Sequence, residues 1–136
     1  EPGSVENHIG SNVDFAETFL DAAGIEVPAD MQGRSLVPVL GGQTPDDWRK
    51  TFYYQYYEGP PAVHTVAEHY GVTDGRYKLI YFNKLDEWEL FDLEKDPNEM
   101  HSVYDEPEYA EIVTKMKQEL TRLRSELEVV SDEEPM

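Results

Sequence analysis

Three acidic residues and an asparagine at alternating positions form the pattern in this chain that most suggests metal chemistry. The pattern consists of Asp92, Glu94, Asp96 and Asn98. It imitates the start of an EF-hand calcium loop, whose ligands are carboxylate and amide oxygens. That loop also needs a glycine at its sixth position and a bidentate glutamate at its twelfth, where this chain has Pro97 and Val103. We therefore interpret the segment as a turn with capping acids.

Other polar groups are weaker candidates for chemistry. The pair Asp46-Asp47 precedes an aromatic stretch, and we interpret it as a solvated helix cap rather than as metal ligands. His64 and His69 could donate or accept hydrogen bonds without a permanent charge. A zinc site is disfavoured, because no third ligand is spaced near the two histidines. The pattern predicts no catalytic residue and no metal ligand in this chain.

Tyrosines crowd one predicted strand and allow two interpretations. They are Tyr53, Tyr54, Tyr56 and Tyr57. Such a stripe could stack on sugar rings, but alternate members of a strand also belong in a core. The aromatic stretch therefore predicts a strand with one face buried, and it leaves the role of the other face open.

Composition limits the classes of partner. The 136 residues contain 29 Asp and Glu against 11 Lys and Arg, which gives a net charge of −18. A field of that sign repels nucleic acid and anionic membranes, so we expect neither as a partner. The absence of cysteine excludes disulfides, thiol catalysis and thiolate metal sites. No apolar run approaches the roughly 20 residues that span a bilayer, and the first residues do not resemble a signal peptide.

Three segments must position the polar groups. Residues 1–45 are predicted to hold a helix at 14–23 with Asp14 as its N-cap, a stop at Gly24 and a short apolar helix or turn at 35–40. One face of the first helix is apolar. That face comprises Phe15, Ala16, Phe19, Leu20 and Ala23. The Gly- and Pro-containing stretch at 41–45 predicts a linker.

Residues 46–130 predict a small antiparallel sheet and a long helix. Strands are predicted at 51–57, 70–73, 76–83 and 88–93, with an Asp74-Gly75 hairpin turn between the second and third. The third strand is apolar on both faces, so we expect a helix to cover one face and a partner the other.

A helix at 106–128, with Asp105 as its N-cap, carries an apolar stripe that suits either the sheet or a coiled-coil dimer. We favour packing on the sheet, because an aromatic-rich sheet needs a cover. The acidic tail, 131–136, is expected to fray. The predicted fold class is therefore α+β: about four antiparallel strands against a long C-terminal helix, preceded by a short helix and loop.

An ordered set of short motifs resembles the C-terminal region of type I, formylglycine-dependent sulfatases of the alkaline-phosphatase-like superfamily that act on sulfated sugars. The set covers residues 13–40, which end in a G-x-S-L-x-P-x-L run, and residues 64–104. The motifs in the second range are His64-x4-His69, Gly71-Val72, Arg76-Tyr77-Lys78-Leu79-Ile80, the segment 87–93 and Asp96-Pro97-Asn98-Glu99. The resemblance implies a small sheet packed on a C-terminal helix, in agreement with the patterns above.

The resemblance also implies parts that this chain lacks. Such enzymes use Ca²⁺ and a formylglycine made within a C/S-x-P-S/A-R motif, and neither that motif nor the calcium ligands occur in these residues. It places His64 and His69 near the mouth of the sulfate pocket as tentative substrate contacts, although both could be ordinary structural histidines. Arg76 and Lys78 could face a sulfated ligand, but a solvated position or an ion pair with Glu87 or Glu89 is favoured. Thr73 stands where the family often has an arginine, so a contact made by that arginine is lost.

We interpret the chain as a C-terminal fragment of a sulfatase, a sulfuric ester hydrolase acting on sulfated carbohydrate. It would supply scaffold and part of the pocket rim, be inactive alone, and partner the N-terminal sulfatase domain in a periplasmic or secreted protein. The fragment itself needs no cofactor, and its uncovered surface could self-associate. A non-catalytic glycan-binding or protein-interaction module is the alternative, suggested by the apolar helix stripe and the tyrosine-rich strand.

Overall fold

The chain forms two compact units, Glu1–Lys50 and Thr51–Met136. The structure is a computed structural model that describes residue 3, residues 5–59 and residues 65–129. Among these residues, no helix combines the length and the apolar character needed to cross a membrane. The acidic tail at 131–136 lies outside the described residues.

The first unit is built on two short helices. Helix α1 spans Asp14–Ala22 and helix α2 spans Val37–Leu40. The chain leaves α1 through Gly24, whose φ of 70° is the left-handed conformation that glycine accepts without steric cost. Trp48 is buried, and its indole N–H donates to the carbonyl of Ile9 (3.0 Å). The helix predicted at 14–23 and the short helix near 35–40 are both present.

Asp14 is not the cap of α1, which corrects the sequence-based interpretation. The N-cap position belongs to Val13, and no side chain caps it. Asp14 is fully buried and accepts two hydrogen bonds from the guanidinium of Arg49 (2.6 and 2.7 Å). Its carboxylate also accepts the backbone N–H groups of Ser11 and Arg34 (2.8 and 2.9 Å). The residue thus ties three parts of the unit together instead of ending a helix.

The apolar face of α1 points to solvent in this chain. Phe15 is 54% exposed and Phe19 is 72% exposed, whereas Asp14 and Glu17 are buried. The physical reason is that residues 34–36 cross the polar side of the helix. There the backbone N–H of Leu36 donates to Thr18 Oγ1 (2.9 Å) and the Ser35 hydroxyl donates to Asp21 (2.5 Å). Because residues 34–36 pack on the polar face of α1, they leave the apolar face uncovered.

The second unit carries a four-stranded antiparallel sheet in the order β1-β2-β3-β4, which confirms the predicted sheet. The strands span Phe52–Tyr56, His69–Thr73, Tyr77–Phe82 and Glu87–Asp92. The first hairpin turns one residue later than predicted, since the backbone N–H of Asp74 donates to the Tyr77 carbonyl (3.1 Å). Gly75 has a φ of 91°, and Arg76 therefore lies in the turn rather than on a strand.

The C-terminal helix packs on one face of the sheet, as predicted. A 3-10 turn at Pro107–Tyr109 leads into α3 at Ala110–Glu126. The core joins sheet and helix, and its buried members are Val72, Leu79, Leu90, Tyr109, Met116 and Leu120. Full burial of such a side chain contributes about 1.5–3 kcal/mol. Asp105 does not cap the helix: Glu106 is the N-cap of the 3-10 turn and Tyr109 that of α3, both without a side-chain bond, because the 3-10 turn moves the helix start forward.

Candidate functional site

His69, the one histidine of the predicted substrate-contacting pair that the structure describes, lies on the sheet face opposite α3. Cross-strand register places Tyr56 beside His69, and Tyr54 beside Gly71 and Ile80. Ile80 on this face is only 6% exposed. The face therefore combines an apolar floor with polar and aromatic side chains. We call it the His69 face and define it by Tyr54, Tyr56, His69, Lys78, Ile80 and Phe82.

His69 sits in an aromatic frame. Its ring stacks on Tyr56 with 5.2 Å between centroids and an interplanar angle of 23°. Phe82 lies 5.1 Å away and Tyr54 meets the ring edge-on at 5.8 Å. Nδ1 is 2.9 Å from the Ala67 carbonyl, which makes it the donor and leaves Nε2 as the acceptor of a neutral ring. Within the described part of the chain, Nε2 has no hydrogen-bond partner.

Tyr54 closes over Gly71 next to this frame. A Cβ atom at Gly71 would lie 2.8 Å from the Tyr54 ring and 2.4 Å from the Leu79 carbonyl, so only glycine fits. The Tyr54 hydroxyl is buried and makes no hydrogen bond to a described residue. Burial, reinforced by the charges of Glu99 and Glu89, raises the pKa of the Tyr54 phenol. Tyr54 is therefore a neutral group at physiological pH, poised as a donor.

The two basic residues near the face already have anionic partners. Lys78 Nζ is 2.5 Å from Glu99 and 5.7 Å from the Tyr54 ring centroid. Arg76 pairs with Asp92 (3.1 Å) and Glu94 (2.8 Å). The sequence favoured a solvated position or an ion pair with Glu87 or Glu89; both residues form ion pairs, but with other partners. The end of β4 and the segment after it supply the partners instead, which sequence spacing along the strands does not reveal.

The acidic residues of segment 92–99 bind other groups of this chain. The Arg76 hydrogen bond is the main reason that the pKa of Asp92 is lowered, although Asp92 is buried. Asp96 accepts the backbone N–H groups of Met100 and His101 (2.7 and 2.8 Å). In the region that the structure describes, no cluster of three His, Cys, Asp or Glu could hold a metal ion. Asp47 is solvated and pairs with Arg34 (3.0 Å), but no helix starts there, so it caps none.

The structure brings only part of the predicted site together. His64 lies outside the described residues, so its contact with substrate stays a prediction. Tyr53 packs against the helix-side core, and Tyr57 is 75% exposed. Sequence reasoning did not assign Tyr56 and Phe82 as the frame of His69. Their alternation along β1 and β3 is visible in the sequence, but the register that sets them against His69 is not.

A small antiparallel sheet covered by one C-terminal helix, with an aromatic-framed histidine on its other face, defines an α+β module. The family described as "N-sulphoglucosamine sulphohydrolase, C-terminal" matches residues 1–126, and the chain belongs to this family.

Relatives and solved structures support the family assignment. An N-acetylglucosamine-6-O-sulfatase of Bacteroides thetaiotaomicron is 52% identical over 127 residues, covering 91% of this chain and 22% of the relative. A solved protein in complex with its substrate D-glucosamine-2-N,6-O-disulfate superposes with a TM-score of 0.90 at 47% identity, covering 98% of this chain and 28% of that one. A phosphonate monoester hydrolase from Silicibacter pomeroyi superposes with a TM-score of 0.78 at 27% identity, covering 93% of this chain and 27% of that one. The chain thus spans about a quarter of such proteins, as a C-terminal sulfatase domain.

Proposed function

We propose that this chain serves a sulfuric ester hydrolase that removes sulfate from an amino sugar, and that the His69 face forms part of its substrate-pocket rim. The similar relative named as an N-acetylglucosamine-6-O-sulfatase and the complex with a disulfated glucosamine support the sugar class. The chain spans about a fifth of that relative. On this proposal the reaction belongs to the complete protein, and the 136 residues alone release no sulfate.

The framed histidine is the observation that carries the proposed role. Stacking on Tyr56 and the Nδ1 bond to Ala67 fix the ring and its tautomer, which leaves Nε2 for a ligand. A neutral Nε2 accepts a hydrogen bond from a sugar hydroxyl, whereas a protonated one donates to a sulfate oxygen. The flanking tyrosines add the amphipathic surface on which sugar rings pack. The arrangement orients a substrate and performs no bond cleavage itself.

Calcium and formylglycine, which the family resemblance implies, do not fit the residues of this chain. The sequence has no cysteine and no C/S-x-P-S/A-R motif. No metal-binding cluster occurs among the residues that the structure describes. We propose that both groups belong to the remainder of the protein, and we assign no step to them here.

We also propose a division of the chain between two parts of the complete protein. Residues 1–45 would be the trailing segment of the large sulfatase domain, and residues 46–130 the C-terminal subdomain. The uncovered apolar face of α1 supports the first part, since it needs a partner surface. We further propose the N-terminal sulfatase domain as that partner, with the whole protein periplasmic or secreted.

The test compares variants of the complete protein that carries this chain. With N-acetylglucosamine 6-sulfate as substrate, His69→Phe keeps the aromatic stack and removes both ring nitrogens. We expect KM to rise about tenfold with a smaller change in kcat, because one ground-state hydrogen bond is lost. His69→Gln retains polar atoms and should recover part of the loss. His101→Gln, at an exposed position, is the control and should leave KM unchanged.

Two outcomes would contradict parts of the proposal. An unchanged KM in His69→Phe would remove His69 from the pocket rim. A complete protein that binds sulfated glycans without releasing sulfate would favour the glycan-binding module instead. A His69→Phe variant that loses both kcat and fold, measured by circular dichroism, would assign the histidine to packing.

A further inference from the structure

Two half-buried basic side chains on one face of α3 lack the carboxylate partner that most cations of the described chain have. The chain has 11 Lys and Arg residues against 29 Asp and Glu residues. Seven of the 11 form ion pairs with carboxylates, namely Arg34, Arg49, Arg76, Lys78, Lys84, Lys95 and Arg122. Lys117 and Arg124 are half-buried, yet neither pairs with a carboxylate among the described residues. In so acidic a chain, two unpaired cations on one helix face need an explanation.

The two cations flank an open groove between α3 and the sheet. The groove has a volume of about 310 Å³ and is lined by Tyr70, Trp88, Lys117, Leu120, Thr121 and Arg124. That volume lies at the small end of the range found for ligand sites, about 300–1,000 Å³. Lys117 and Arg124 are two helical turns apart, about 10 Å along the axis. The groove therefore offers a positive group at each end and aromatic surface between them.

Each cation is held by aromatic rings and keeps unused donors. Lys117 Nζ lies 4.1 Å from the Trp88 ring centroid and donates to the Tyr104 hydroxyl (2.6 Å). An ammonium has three donors, so two remain. The Arg124 guanidinium lies 3.9 Å over the Tyr70 ring. Its Nη1 is buried and has no hydrogen-bond partner in the described part of the chain.

An oxyanion would satisfy these donors. A guanidinium presents parallel N–H groups that match the oxygens of a sulfate or carboxylate, and a buried N–H without a partner is destabilising. Trp88 itself is braced by Tyr81, whose ring centroid is 4.3 Å away, so the aromatic wall is preformed. A ligand with an anionic group and a ring fits this chemistry better than a free inorganic ion, which would leave the apolar surface of Leu120 and Trp88 unused.

We infer that the groove between α3 and the sheet binds the sulfate group and ring of a sulfated saccharide through Arg124, Lys117 and Trp88. The saccharide class rests on the proposed function, whereas the requirement for an anion rests on the two unpaired cations alone. The groove lies on the helix side of the sheet, opposite the His69 face, so one sugar residue cannot occupy both. The chain therefore has a second contact for an extended sulfated chain.

The experiment titrates the 136-residue chain with N-acetylglucosamine 6-sulfate and reads the two tryptophan indole N–H signals by NMR. Trp88 lines the groove, and Trp48 in the first unit is an internal reference. We expect the Trp88 signal alone to move, and unsulfated N-acetylglucosamine to move neither. Lys117→Met and Arg124→Met keep an apolar stem over the rings and should each weaken binding about tenfold. Lys115→Met removes the same charge from an exposed position of α3 and should change Kd less than about twofold.

Several results would overturn the inference. They are an immobile Trp88 signal, an equal response to the unsulfated sugar, or a loss in Lys115→Met as large as in Lys117→Met. If a methionine variant unfolds, Lys117→Arg preserves charge and stem, and its failure to bind would likewise contradict the site. The assay needs no turnover, and the Trp88 signal reports the groove alone. Failure of the groove and failure of the proposed reaction are therefore distinguishable.

Discussion

Asp14 shows how this chain stabilises a buried charge. Burial is the largest influence on its ionisation and opposes it, but the Arg49 guanidinium and the N–H groups of Arg34 and Ser11 outweigh burial and lower the pKa. A carboxyl whose pKa is lowered on folding contributes stability above its unfolded pKa, about 3.9, and the contribution is lost as pH falls through the folded pKa. The pair with Arg49 therefore stabilises the first unit at neutral pH and fails in acid.

Arg49→Met should destabilise the first unit by about 3 kcal/mol at pH 7, because it leaves a buried carboxylate without its cation. The deficit should shrink near pH 4–5. Without Arg49, burial raises the folded pKa of Asp14, and protonation then removes the uncompensated charge. Hydrogen exchange of the α1 amides measures this stability locally.

Arg34→Met is the matched control for Arg49→Met. Its partner Asp47 is 81% exposed, so the loss should stay below about 1 kcal/mol. Equal protection of the α1 amides in the two variants would show that the buried pair contributes no more than the surface pair.

Strands β1 and β3 leave no room for a side chain at Gly71 of β2. The Tyr54 ring covers this glycine, and the Leu79 carbonyl lies beneath the position that a Cβ would take. A carbonyl of the neighbouring strand cannot move aside as a flexible side chain can. The close approach thus couples the position of Tyr54, and through it the His69 frame, to the pairing of the sheet.

Gly71→Ala should lower the stability of the second unit by about 3 kcal/mol, since overpacking of this kind costs about 1–3 kcal/mol and a backbone clash lies at the upper end. It should also shift the NMR signals of the His69 ring, because Tyr54 must move. Thermal unfolding and a ring-proton spectrum measure the two effects. Gly10→Ala, whose nearest atom would be 3.5 Å away, is the control. A variant as stable as that control would disprove the close approach.

Taken as a whole, the chain concentrates exposed apolar surface in its first unit. The exposed large side chains there include Val13, Phe15, Phe19, Ile25 and Leu40. Soluble monomers seldom expose contiguous apolar patches of large area, and such patches usually bind a partner. This surface is where we propose that the rest of the protein packs.

The isolated chain should bind a hydrophobic dye, and the double variant Phe15→Gln, Phe19→Gln should lose most of that binding without loss of helix content. Dye fluorescence and far-UV circular dichroism measure the two quantities. Leu85→Gln, in the second hairpin turn and 55% exposed, is the comparison and should leave the dye signal unchanged. A wild-type chain that binds no dye would contradict the proposed interface.

Local patterns predicted most of the second unit. The alternation along Tyr77–Phe82, the turn at Gly75 and the stripe through Met116 and Leu120 each arise from neighbours in sequence, so the sheet and its covering helix could be predicted. The first unit was harder, because α1 is oriented by contacts from Arg34 and Arg49, distant in sequence. The apolar pattern of α1 is compatible with either a buried or an exposed apolar face, and the polar contacts determine which one forms.

The candidate site, too, could be predicted from the sequence only in part. The strand predicted at 70–73 begins one residue earlier, at His69, and the stack of His69 on Tyr56 depends on cross-strand register. The unpaired state of Lys117 and Arg124 could not be predicted at all. It depends on where every carboxylate of the chain lies in space, and 29 acids offer too many pairings for sequence to exclude.

The spatial order of the strands also determines how the sheet assembles in time. Each strand pairs with its neighbour in sequence, and the connections at 74–76 and 83–86 are short. The connection at 57–68 is longer, and loop-closure entropy rises by about 0.6 kcal/mol for each doubling of length. Strands β2, β3 and β4 can therefore form a folding nucleus before β1 joins. Since β1 carries Tyr54 and Tyr56, the aromatic frame of His69 would be completed last on the folding pathway.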